Sequence, residues 1–92
     1  MPRHYRLPDR IDRSGARRVM QAILGAQGHD LALDAADVRM IGTPGVQVLL
    51  AAARQWSMDG RCLTVDPVSD DLAAVLGRLG LSVDHLVAGG AA

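Results

Sequence analysis

The side chains able to do chemistry in this 92-residue chain are few and scattered. His4, His29 and His85 fall in three different segments, with no HxxxH and no His–carboxylate spacing on a shared helix. They form neither a metal set nor an acid–base pair, and each reads as a surface or satisfied structural histidine. Cys62 stands alone, which leaves no disulfide framework and no CxxC pattern. Its position in a short alternating strand, with no base beside it in sequence, reads as a small buried hydrophobe. The glycine-rich and nucleophile motifs GxGxxG, GxxxxGK[ST] and GxSxG are missing. Asp70 and Asp71 follow Ser69 in the first turn of a helix, where carboxylates oppose the positive end of the helix dipole, so capping accounts for the pair. No catalytic constellation emerges; neither an enzyme nor a bound cofactor or metal is expected.

One hydroxyl keeps two readings. Gly42, Thr43, Pro44 and Gly45 mark a helix start, because threonine caps well and proline is favoured at the first helical position. The residue before proline is also pushed toward the extended geometry of an N-cap. Thr43 is therefore expected to cap a helix running from about residue 45 to 57, which is worth about 1 kcal/mol. A phosphate on the same hydroxyl would gain dipole and backbone N–H contacts while adding charge to the surface, so Thr43 also reads as a switch.

The elements that must hold this turn follow from periodicity. Residues 4–7 read as an edge strand that Pro8 ends. From Ser14, a candidate N-cap, Ala16, Val19, Met20, Ile23 and Leu24 recur at helical spacing as a buried face, with Arg13, Arg17, Arg18 and Gln21 opposite. Leu31, Ala32 and Leu33 form a buried strand ending at Asp34, followed by a connection carrying Val38, Met40 and Ile41 as core residues. The second helix buries Val46, Leu49, Leu50, Ala53 and Trp56, leaving Gln47, Val48, Ala51 and Gln55 outside. Residues 62–65 alternate as a strand that Pro67 breaks. Ser69 then caps a third helix with Leu72, Val75, Leu76 and Leu79 inside, and Leu81, Val83 and Leu86 fold back onto the core. Strands alternating with helices predict an α/β fold: a small mixed, partly parallel sheet with three to four helices, one domain over residues 1–87 and a disordered tail over 88–92.

Composition narrows the function classes. Almost half the residues are apolar, yet one is Trp, one is Tyr and none is Phe, so the core must be aliphatic. Apart from the three histidines, ten basic residues, all Arg, balance ten acidic ones, all Asp, which removes the electrostatic footprint of a nucleic-acid binder. Five of the ten arginines precede residue 18, a basic region that is either a solvated helix face or a surface for an acidic partner. The polar first nine residues, with Pro2 and Pro8, exclude a signal peptide, and no apolar stretch is long enough to span a bilayer. A cytoplasmic protein without membrane insertion is expected.

The segment LALDAADVRMIGTPGVQVLL, residues 31–50, resembles the signature of STAS domains, in which a buried strand ends in Asp and a short turn leads to a Ser/Thr-rich helix start, a glycine and an aliphatic helix. Asp34 matches the strand-end Asp, Val38 and Ile41 the aliphatic positions, Gly45 the helix glycine, and Leu49 and Leu50 the core residues. LPDRIDRSGARRV is similar to the family's approach to its first helix, and GRCLTVDPVSDDLAAVLGRLGL to its closing strand, loop and helix. The resemblance implies the anti-sigma factor antagonist-like fold and a regulatory docking module. Its partner-binding surface would be Gly42, Thr43, Pro44 and Gly45 with Gln47, Val48, Ala51 and Gln55. The implied partners are a kinase-like anti-sigma factor or a histidine kinase, since GTPGVQVLL is similar to STAS proteins of chemotaxis systems. The alternative is a transporter ATPase, because the STAS subunit of Mla-type lipid transporters is similar in keeping a Thr. The family's acceptor serine falls on Pro44 and its preceding Asp on Gly42, which removes the usual phosphorylation chemistry and leaves the Thr43 hydroxyl one residue upstream.

Overall fold

In the computed structural model, which describes residues 2–89, three parallel strands line up in the order β1 (Arg3–Arg6), β3 (Leu31–Ala35), β5 (Leu63–Val68). Arg3 pairs with Leu31 and Leu31 with Leu63, so each strand steps one place further across the sheet. A second parallel ladder joins β2 (Arg10–Ile11) to β4 (Met40–Ile41). Helices α1 (Arg13–Gly25) and α2 (Thr43–Met58) connect the three sheet strands in turn, and α3 (Asp70–Arg78) and a 3-10 turn (Val83–Leu86) follow β5. Two successive crossovers step in the same direction across the sheet, and α1 and α2 pack side by side, as two crossovers of one hand require. The α/β class with three helices is as the sequence predicts and β1 is an edge strand as expected, while the strands, all parallel in their ladders, divide between two sheets instead of one mixed sheet.

The core is aliphatic apart from Trp56, and among the described residues no polar or charged residue is buried. Leu7, Ile11, Leu31, Leu33, Val38, Leu49, Leu63, Leu72, Leu76 and Leu86 are fully enclosed around it. Trp56, 2% exposed, satisfies its ring N–H by donating to the His29 carbonyl oxygen at 2.7 Å, which ties the last part of α2 to the loop before β3. Ser69 caps α3 as predicted: its hydroxyl oxygen accepts from the Leu72 N–H at 3.1 Å, and the hydroxyl donates to the Val38 carbonyl at 2.6 Å.

Several boundaries differ from the sequence reading, each for a local reason. Asp12, not Ser14, caps α1: its carboxylate accepts from the Gly15 N–H at 2.8 Å, and the Ser14 hydroxyl donates to the same carboxylate at 3.2 Å. β5 does not stop before Pro67. The register slips by one residue between Leu33 and Ala35, which pair with Val65 and Val68, so Pro67 sits in a bulge where no ladder donor is required. Cys62 is exposed rather than buried, because it lies one residue before the strand, with its thiol 3.1 Å from the Gly89 carbonyl. Leu79, expected inside, is 51% exposed at the cap of α3. Ala88 is buried and exchanges two backbone hydrogen bonds with Leu63, at 2.9 and 3.0 Å, so ordered chain extends into the stretch expected as a tail. The remainder of that stretch, residues 90–92, lies outside the described residues.

Candidate functional site

The short β2–β4 ladder sets the site. β2 runs directly into the cap of α1 and β4 into that of α2, so pairing Ile11 with Ile41 brings the two helix N-termini to the same level. The Gly42 N–H donates to the Ile11 carbonyl at 3.0 Å, and the Gly42 carbonyl accepts from the Val46 N–H at 3.1 Å. Gly42, in extended geometry, is therefore the N-cap of α2, with Thr43 and Pro44 as its first two helical residues. The expected cap at Thr43 is corrected by one residue: the tie to Ile11 overrides the extended preference that Pro44 imposes on its predecessor. Thr43 is exposed and makes no capping hydrogen bond, so its hydroxyl is free of that structural duty.

Gly45 is corrected too. It was expected on the docking surface and is buried, and a β-carbon there would lie 2.6 Å from Ile11 Cγ2 and 2.8 Å from Ile41 Cγ1. Only a residue without a side chain lets α2 rest on the β2–β4 ladder, so Gly45 positions the site without meeting a partner.

The other expected residues share one face. Pro44, Gln47 and Ala51 are exposed and Val48 and Gln55 half-buried along the side of α2 that looks toward α1. Across from them stand Arg13, Arg17, Met20, Leu24 and Gln27, and the two helices enclose an open groove of about 520 Å³, floored by Ala16, Ile23, Ala52 and Trp56. Met20 and Leu24, expected in the core, are 44% and 57% exposed and belong to the groove wall. Sequence reasoning missed the α1 half of the site because an apolar stripe at helical spacing looks the same whether it faces a core or a groove. A signal was present in the five apolar positions Ala16, Val19, Met20, Ile23 and Leu24 on so short a helix, a stripe wide enough to serve both. Leu50, also expected inside, is half-buried on the other flank of α2.

The remaining chemistry-bearing side chains stay apart. Among the described residues no group of three His, Cys or Asp side chains could hold a metal ion. The His85 ring nitrogen Nδ1 accepts from the Ser82 N–H at 3.0 Å in a capping box, a structural use. Asp34 accepts from the Ala36 N–H at 2.9 Å and lies 3.8 Å from Arg6, which stiffens the turn after β3. The Asp12 carboxyl is held below its ordinary range first by the Gly15 N–H and then by the Ser14 hydroxyl, a consequence of capping α1. Among the described residues no helix is long and apolar enough to cross a membrane.

The family described as “Mlab, STAS domain” matches residues 4–88, nearly the whole chain. The chain belongs to the STAS domain family. No curated protein and no solved structure matches it. Membership makes this a protein-interaction or regulatory domain in general terms. Within this STAS domain the exposed Pro44 is the second residue of α2, and the one hydroxyl in the Gly42–Gly45 helix start belongs to Thr43.

Proposed function

We propose that this STAS domain is a non-enzymatic docking module of a bacterial regulatory system, cytoplasmic, which engages a kinase-like partner, an anti-sigma factor or a chemotaxis histidine kinase. Docking uses Gly42, Thr43 and Pro44 with Gln47, Val48, Ala51 and Gln55 of α2. The observation that carries the reading is the continuity of this surface: the exposed Thr43–Pro44 start of α2 runs without interruption into the groove that Gln47, Val48 and Ala51 share with α1. A surface of mixed apolar and neutral polar groups suits reversible association. Pro44 supports a partner bound without phosphorylation at that position. Thr43, free of capping, is the hydroxyl on which a charge switch would act.

A second reading has its own support. The family description carries the name Mlab, and Thr43 is retained where the STAS subunit of Mla-type lipid transporters is similar, which favours the ATPase of such a transporter as partner. Affinity capture from the native host with the wild-type domain, read by mass spectrometry, separates the two. Gln47→Arg combined with Ala51→Glu should abolish capture while the thermal transition is unchanged. Undiminished capture by that double variant would overturn the docking surface.

A further inference from the structure

The groove between α1 and α2 is asymmetric in charge. Of the residues lining it, Arg13 and Arg17 are charged and none is a carboxylate. Both arginines stand on the first half of α1, at the end of the groove where Pro44 and Gln47 begin α2. The opposite end is neutral, with Gln27 and Gln55, and the nearby Asp59 carboxylate already accepts from Gln55 Nε2 at 3.0 Å. Between the ends, Met20, Leu24, Val48 and Ala51 give an apolar trough between two side-by-side helices.

We infer that the occupant of this trough is an amphipathic helix of a partner protein, apolar toward Met20, Leu24 and Val48 and carrying Asp or Glu residues that meet Arg13 and Arg17. This rests on the docking function proposed above and specifies its ligand. A helix is the element whose apolar ridge fills a trough between two helices, through residues at i, i+3, i+4 and i+7. Charge complementarity sets its sign: two arginines without an acidic neighbour in the groove select carboxylates and repel a basic segment. A second copy docked trough against trough would present the same two arginines rather than an acidic ridge. A lipid surface calls for a protruding apolar face, whereas this one is concave.

Photo-crosslinking of the full chain in its native host tests the inference, with p-benzoylphenylalanine placed at Met20 in the groove and, separately, at Gln47 on α2. The Met20 adduct should map to a partner segment with helical apolar spacing and net negative charge. Arg13→Glu with Arg17→Glu should lower that adduct by about tenfold or more, as loss of a steering charge does, while Arg78→Glu on α3 leaves it unchanged. Should the double reversal impair folding, as judged by circular dichroism, Arg17→Gln supplies the same comparison with a smaller drop. A Met20 adduct with a basic or neutral segment, a lipid or a second copy overturns the inference, as does a yield indifferent to the arginines. Protein adducts at Gln47 with none at Met20 overturn it while sparing the docking function; none at either position overturns both.

Discussion

Gly45 lies against Ile11 so closely that a β-carbon on the glycine would fall 2.6 Å from Ile11 Cγ2. This approach, together with the Gly42–Ile11 hydrogen bond, seats the start of α2 on the strand that leads into α1. The two walls of the groove are thus registered by backbone geometry near their N-terminal ends.

Gly45→Ala should therefore destabilise the domain by about 1–3 kcal/mol, the usual cost of overpacking. Gly77→Ala is the control of opposite sign: nothing lies within 4 Å of a β-carbon there, in the exposed last turns of α3. It should stabilise by up to about 1 kcal/mol through helix propensity. Urea unfolding followed by Trp56 fluorescence measures both.

Thr43→Ala should leave stability within about 0.5 kcal/mol of wild type, as for a surface substitution away from any cap. A loss near the full value of an N-cap bond, measured in the same urea series, would restore the capping role that sequence suggests for Thr43.

The Asp12 carboxyl is held below its unfolded value by the Gly15 N–H and the Ser14 hydroxyl. A group depressed in the folded state contributes stability that is present above its unfolded pKa and lost as pH falls through the folded one. Asp12→Asn keeps the cap without the titration. The wild type should therefore lose stability relative to Asp12→Asn only in acid, as pH falls below the ordinary aspartate range. Parallel thermal melts from pH 7 down to pH 2.5 check the sign.

Trp56→Phe removes the ring N–H that the His29 carbonyl accepts at 2.7 Å in a partly buried setting. The loss should be about 1–3 kcal/mol, from the lost hydrogen bond together with the smaller ring left in a buried site. Equilibrium unfolding followed by far-ultraviolet circular dichroism measures it.

Much of this fold was legible in the sequence because local signals and burial agree. Strand β3, helix α3 with its Ser69 cap, and the aliphatic stripe of α2 follow directly from period and capping chemistry. β2 was not legible, since two residues are too few to show alternation. The cap of α1 was expected at Ser14 and falls instead on Asp12, two residues upstream and equally suited to capping, because tertiary context decides between them. Gly15 packs closely there, with a β-carbon position 2.7 Å from the Arg10 carbonyl oxygen. The α2 half of the site could be read from residue type, whereas the α1 half could not: Met20 and Leu24 look like core until the packing of α1 beside α2 leaves them at the groove.

The most direct test of docking at the α2 surface is hydrogen–deuterium exchange of the domain alone and with its captured partner. Docking there predicts slower exchange in peptides covering residues 43–55, and in residues 13–27 across the groove, with α3 and β1 unchanged. Protection confined to α3 or to the β1 edge, with none in residues 43–55, would contradict it.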